Sequence, residues 1–488
     1  MALLGALALA SSSVLAAPVI QSLGDLNVAS GDGDPSNFTK FGTKILFVAT
    51  DETKGREIWR TDGTTAGTRI IKDINPGGDS WPNGFFIVNG VALFSADNGG
   101  GDELWRTDGT AAGTKKVKDI NGDPNTGSLD GISARYGSYL YFYADDGVHG
   151  IELWRSDGTA AGTKMLKDVN VGSGDSDRCC PRQLGNIVLF QAFDPAHGYE
   201  LWRTGGTPGT TTFVADVNSG PNASYPLDDG VVAGSRYFFC AWPTSDLWVT
   251  DGTPGGTALV KDFDYCVNPH PYGNDVLVTA RSVGSSVELW RSDGTPGGTA
   301  MVTDLNPTGD SYPNLINDQP VNGKYFVAAD DGTHGRELFV YNGSTLSLVE
   351  DINPSGGSGI GQTGNRRMAL GNRFVFEADD GVHGYEPWIT DGTAPGTFLL
   401  KDIAPGLPIS ESYAEVALNG MLYFSAENAT YGRELWRTNG TQLGTKRITD
   451  LNPGGGGSWP NGLTAINGKI YLSADDGTHG FEPYRLTP

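Results

Sequence analysis

The sequence predicts an all-β fold: a β-propeller of about ten four-stranded antiparallel blades in one ring closed by the N-terminal strand. Three observations predict it. A carboxylate–apolar–aromatic triplet recurs ten times, starting at Glu57, Glu103, Glu152, Glu200, Asp246, Glu288, Glu337, Glu386, Glu434 and Glu482, at intervals of 42 to 49 residues. A fixed period in the forties marks one supersecondary unit copied in tandem. Each unit also holds four short runs of strand composition, and the last unit lacks its fourth run, which is found at the other end of the chain.

Residues 73–121 serve as the type unit. Asp73-Ile74-Asn75-Pro76-Gly77-Gly78-Asp79-Ser80-Trp81-Pro82 is a loop by composition. Phe85–Val88 is a first strand, and Asn89-Gly90 is a two-residue hairpin signal because both positions tolerate positive φ. Val91–Ala96 is the second strand. A Gly/Asp loop leads into the third, Glu103-Leu104-Trp105-Arg106. Thr107–Thr114 turns the chain and Lys115–Ile120 is the fourth strand. Four antiparallel strands in such a unit make one propeller blade.

The final unit ends at Tyr484-Arg485-Leu486, after its third strand, while Val19–Leu26 matches the fourth-strand pattern of Ile70–Ile74. An N-terminal strand that completes the last blade closes the ring and removes exposed sheet edges. Two five-bladed rings are the alternative; the short interval from Asp246 to Glu288 is where the one-ring reading is weakest.

Glu103-Leu104-Trp105-Arg106-Thr107-Asp108-Gly109-Thr110 resembles the repeat that names the bacterial ELWxxDGT family, and the likeness extends from about residue 20 to 488. The resemblance implies a propeller-like, exported protein often found at cell surfaces. It brings no established catalytic residues.

Net charge is −23, from 34 basic and 57 acidic residues, with no Lys/Arg cluster. Nucleic acid and anionic membrane are therefore excluded as expected partners, and metal cations or neutral and cationic ligands fit better. Residues 1–16, with the apolar run Leu3–Ala10 and small residues at Val14-Leu15-Ala16, resemble a signal peptide, leaving 17–488 as the repeat domain. No stretch approaches the roughly 18 apolar residues of a membrane span. The expected location is outside the cell or at its surface. There an exported chain with Cys179, Cys180, Cys240 and Cys266 favours two disulfides, with Cys179 and Cys180 joined to Cys240 and Cys266 as one arrangement.

Strand order places the Asn-Gly hairpins and the Asp-Gly-Thr turns on one rim. The Asp-Ile-Asn-Pro-Gly loops and the Asp-Asp-Gly-x-His-Gly loops share the other, where ligands would meet the most varied groups. Asp146 with His149, Asp331 with His334, Asp380 with His383 and Asp476 with His479 form candidate cation sites, with the strand Glu three residues after each His and calcium as the cation the oxygen ligands suit. The competing reading is a turn made by Asp and Gly with His packed beside it. Trp81, Tyr225, Tyr312, Tyr413 and Trp459 recur in one loop, mostly before proline, and are candidate ligand-binding residues that could stack on sugar faces; inter-blade packing is the alternative. The strand Glu is expected to bond backbone amides or a basic side chain such as Lys72 or Lys118, because a carboxylate is costly to bury unpaired.

Copies that break the pattern are the places for a unique site: 170–290, with Ser245-Asp246 beside Trp242, and Arg366-Arg367. No Gly-x-Ser-x-Gly motif supports nucleophilic catalysis. Acidic pairs are too abundant to single out a glycosidase. The function expected is non-enzymatic binding or surface interaction with a glycan or extracellular protein. A glycan-active enzyme and a self-assembling matrix scaffold are the alternatives.

Overall fold

The computed structural model describes residues 17–28, 31–123, 125–176, 180–360, 367–406 and 409–488. Residues 1–16, expected to be a signal peptide, and Cys179 and Arg366 lie outside them. The chain forms ten four-stranded antiparallel sheets, each a blade, arranged as a single ring. Blades 1 to 10 span 36–72, 83–116, 129–165, 182–215, 230–261, 265–301, 314–350, 368–399, 413–447 and 461–487, the last completed by Val19–Ser22. Val19 pairs with Thr487 and Ser22 with Tyr484, so the N-terminal strand is the outer strand of blade 10. First strands of neighbouring blades lie against each other around the inner ring between blades 5 and 6 and from blade 8 through blades 9, 10, 1 and 2 to blade 3, so that of blade 1 touches both blade 2 and blade 10. One ten-bladed ring, not two five-bladed ones, is the architecture.

Blade 2 shows why the sequence folds this way. Asn89 and Gly90 adopt φ of 48° and 82°, the left-handed pair that a tight hairpin needs. The fourth strand is only Lys115–Lys116, shorter than expected. Val117 leaves the regular ladder but still donates its N–H to the Leu104 carbonyl at 2.7 Å. Leu104 and Trp105 are both buried and point to opposite neighbours, since successive strand residues alternate faces. Trp105 packs with Leu46, Ile58 and Ile71 of blade 1, while Leu104 packs with Leu140 and Phe142 of blade 3. The apolar core is therefore a series of inter-blade seams.

The strand carboxylate anchors the loop that carries the chain to the next blade. Glu57 accepts N–H bonds from Ile74 at 3.0 Å and Asn75 at 3.1 Å, and a hydroxyl bond from Ser80 at 2.6 Å. Glu200 does the same with Val217, Asn218 and Ser224, and Glu337 with Ile352, Asn353 and Ser358. A basic partner is found in blade 2, where Lys116 pairs with Glu103 at 3.4 Å, but the two lysines expected in that role act elsewhere. Lys72 and Lys118 donate to the Thr114 and Thr163 carbonyls and sit over the rings of Trp105 and Trp154.

The opposite rim carries a second tie. Arg106 donates to the Gly158 carbonyl of the next blade at 2.9 Å, and Arg203 to Gly252 and Arg291 to Gly343 likewise. Arg60 bonds Gly109, and Arg485 of blade 10 bonds Gly63 of blade 1 across the closure. The turn itself is held by side chains: Asp108 accepts the N–H and hydroxyl of Thr110, and Thr107 bonds Thr114 at 2.6 Å. A Cβ at Gly113 would lie 2.0 Å from the Asp108 carboxylate, which is why glycine stands there.

The disulfide arrangement differs from the expected one. Cys240 bonds Cys266, with Cα atoms 5.6 Å apart. They lie on the second strand of blade 5 (Arg236–Ala241) and the first strand of blade 6 (Tyr265–Tyr272). Both side chains enter one buried seam between these blades, so they meet each other rather than Cys179 or Cys180. Cys180 is also disulfide-bonded.

These groups set a pH dependence. Burial pushes Glu152 and Glu386 up to about 7 and Glu482 up to about 8, from an ordinary value of 4.5. Such acids contribute stability that is present below the unfolded value and lost as pH rises through the folded one. His149, His334, His383 and His479, each raised by hydrogen bonding to a neighbouring Asp, act in the same direction. Turn aspartates such as Asp62 and Asp108, lowered by Thr hydroxyl bonds, lose their contribution only as pH falls below the ordinary 3.8. The thermal midpoint should therefore be highest near about pH 5 and fall toward about pH 8.5. A midpoint that rises over that interval in a melting series would contradict these assignments.

Candidate functional site

On the loop rim each Asp–His pair forms a closed turn. Asp146 accepts the backbone N–H groups of Val148 and His149 on one oxygen, and its other oxygen lies 2.8 Å from His149 Nδ1. The same contact joins Asp331 to His334 at 2.8 Å, Asp380 to His383 at 2.7 Å and Asp476 to His479 at 2.8 Å. The strand Glu does not join them, because its oxygens face the exit loop on the buried side. Among the described residues no group of three or more His, Cys, Asp or Glu is placed to hold a metal ion. A chelator is expected to leave the melting curve unchanged, and a lowered midpoint would show that a cation bridges these turns.

The aromatic positions head the first strands, so they stand on the loop rim around the inner ring. Trp81, Tyr225, Tyr312 and Trp459 all adopt left-handed φ, between 42° and 47°. In blade 9 that place belongs to Glu411, at φ 45°, and Tyr413 follows two residues later at the start of the strand Tyr413–Leu418. The five aromatics therefore do not form one uniform ring. Trp81 and Tyr312 are exposed in blades 2 and 7, and Tyr225 is half-buried in blade 5. Only Tyr413 and Trp459 stand in the same cleft.

That cleft lies between blades 9 and 10 and encloses about 470 Å³. Its walls include Glu411, Tyr413, Glu415, Arg433, Trp459 and Asn461. Arg433 is 5% exposed and organises it. Its guanidinium lies 5.1 Å from the ring centres of both Tyr413 and Trp459. It donates to the Glu411 carbonyl at 2.8 Å and pairs with the Glu411 carboxylate. A buried, charged fork that contacts two rings and a carboxylate holds all three in fixed orientation. The Trp459 indole N–H bonds the Gly456 carbonyl at 3.0 Å, which fixes its ring while leaving the residue 45% exposed. Glu415 accepts the Leu463 N–H of blade 10 at 2.9 Å, and burial pushes its carboxyl above the ordinary value. Exposed aromatic faces beside carboxylates and an amide make an amphipathic surface of the kind that stacks on a flat ligand and hydrogen-bonds its edge.

Sequence reasoning reached Tyr413 and Trp459 but not Glu411, Glu415 or Arg433. The available signal was the break in pattern itself: Glu411-Ser412-Tyr413-Ala414-Glu415 replaces the aromatic–proline pair found ahead of blades 2, 5, 7 and 10.

A scan against family models and a search of curated proteins give no match. Solved structures similar to this chain include one of two prolyl endopeptidases, at 14% identity and TM-score 0.36, covering 63% of this chain and 49% of that one. Another is a puromycin hydrolase, at 11% identity and TM-score 0.32, covering 92% of this chain and 59% of that one. A third is an acylaminoacyl peptidase from Pyrococcus horikoshii, at 12% identity and TM-score 0.29, covering 91% and 57%. The chain thus matches about half to three-fifths of the length of these proteins, and at this similarity the likeness carries no functional argument.

Proposed function

We propose that the protein is a non-enzymatic, exported binding propeller that holds a glycan in the cleft between blades 9 and 10. The observation that carries this reading is the Tyr413–Arg433–Trp459 arrangement, in which one buried guanidinium contacts two partly exposed rings at 5.1 Å. Sugar rings present apolar C–H faces to such surfaces and hydroxyl edges to groups like Glu411 and Asn461. The resemblance to the ELWxxDGT family supports export and a place at the cell surface, and the acidic surface favours neutral or cationic saccharides over anionic ones.

One observation favours a glycan-active enzyme as the second reading. Glu415 is a carboxyl raised by burial, in the same cleft as the more exposed, Arg-paired Glu411. A buried, raised acid beside a second carboxyl is the pairing that glycoside hydrolysis uses. Incubating the protein with each saccharide it retains, and separating the mixture by chromatography, decides between the two. Unchanged saccharide is the expected result. Product that disappears in Glu415→Gln would replace binding by catalysis. Self-assembly into a matrix is a separate property, visible as size heterogeneity in light scattering.

A further inference from the structure

A second cleft, of about 370 Å³, opens between blades 5 and 6, in the stretch where the repeat is most altered. Its walls include Tyr225, Trp242, Asp228 and Asp229, with the Cys240–Cys266 disulfide among the lining groups. Tyr225 is fixed by stacking on Tyr199, with ring centres 5.2 Å apart, and Tyr199 packs in turn on Phe193 at 5.2 Å. Trp242 meets Tyr225 at 5.8 Å with planes inclined by 67°, so the two rings form a corner. Trp242 is 61% exposed, while its backbone N–H is held by the Ser224 carbonyl at 2.9 Å.

The internal repeat shows what this corner lacks. In blades 1 and 9 the residue before the strand carboxylate is arginine, and Arg56 and Arg433 lie over the loop aromatics Trp81 and Trp459 at 5.6 and 5.1 Å. Tyr225 heads blade 5, so the corresponding residue is the one before the blade 4 carboxylate, Tyr199, whose ring stacks on Tyr225. A ring thus stands where arginine stands in blades 1 and 9, and among the described residues no Lys or Arg lines the cleft. Two carboxylates line it, where Gly84-Phe85 and Gly462-Leu463 stand in blades 2 and 10. Asp229 is fixed by the Asn268 N–H at 2.9 Å, and its own carbonyl accepts the Cys240 N–H at 3.0 Å. Asp228 is exposed beside it, its carboxylate 3.4 Å from the Gln191 amide nitrogen.

We infer that this cleft binds an alkylated ammonium group from outside the chain, seated in the corner between Tyr225 and Trp242 beside Asp229. Two inclined π faces and a fixed carboxylate surround such a cation on its apolar and charged sides together. A guanidinium on a flexible stem fits less well, because its planar fork needs in-plane acceptors on a scale the corner does not offer. The site is independent of the cleft between blades 9 and 10.

Calorimetric titration of the full chain with tetramethylammonium, choline, free lysine and the uncharged isostere 3,3-dimethyl-1-butanol tests the inference. Saturable binding of tetramethylammonium and choline is expected, with lysine weaker and the neutral isostere absent. Trp242→Ala should weaken binding about tenfold and Asp229→Asn several-fold, while Trp459→Ala changes nothing. Melting curves of each variant confirm that the fold persists. Equal binding of the neutral isostere, no binding of either ammonium ion, or undiminished binding by a folded Trp242→Ala variant would overturn it.

Discussion

Glu337→Ala is expected to destabilise the protein by about 3 kcal/mol, since it strands buried backbone donors at roughly 1–3 kcal/mol each. Glu337 is fully buried and accepts the N–H groups of Ile352, Asn353 and Ser358 at 3.1, 3.2 and 3.0 Å. Removing it leaves those donors facing an apolar seam that includes Leu338, Ile352 and Ile360. Glu52, exposed in a loop, is the control, and its alanine variant should stay within about 0.5 kcal/mol of the parent. Denaturant unfolding of the two variants provides the check. Equal midpoints would show that the buried carboxylate is not what fastens blade to blade.

Removing residues 17–26 is expected to have a larger effect still. The deletion exposes the backbone edge of Tyr484–Thr487, which now pairs with Val19–Ser22. It also removes Leu23, fully buried in the seam between blades 10 and 1, and the Leu26 N–H that Glu482 accepts at 3.0 Å. An open ring with an unpaired strand edge associates with other chains. The shortened protein should unfold at lower denaturant and elute as a broad, concentration-dependent distribution. A permuted chain that begins near residue 31 and carries 17–28 after Pro488 distinguishes loss of the strand from loss of the sequence. Val19 lies opposite Thr487, so a short hairpin can join them, and parental stability should return. If the permuted chain is as weak as the deletion, closure by this strand is not the cause.

The extent to which the sequence disclosed this molecule follows from the range of each interaction. Blade number, the Asn89-Gly90 hairpin and the opposite burial of Leu104 and Trp105 depend on residues a few positions apart, and the tandem copies repeat the signal. The partner of Glu57 is a set of backbone amides, which carry no side-chain signature, so the pattern foretold a bonded carboxylate without choosing between amides and lysine. The tie from Arg106 to the Gly158 carbonyl was hidden because both residues already looked explained, one as a strand end and the other as a turn. The cysteine pairing was unreadable for a related reason: Cys240 and Cys266 meet only because a second strand faces the first strand of the next blade. At the candidate site, register misled as well. Tyr413 looked equivalent to Trp459, yet Glu411 occupies the equivalent backbone position, and that shift brings a carboxylate, a ring and Arg433 into one cleft.

The most direct test of the binding account is retention of the folded protein on an immobilised glycan panel, with Trp459→Ala and Tyr413→Ala compared with the parent. Saturable retention on at least one neutral or cationic saccharide is expected, with each variant about tenfold weaker, as loss of one stacking face implies, and with melting curves unchanged. Retention that survives both substitutions, or its absence across the panel, would contradict glycan recognition by the cleft between blades 9 and 10.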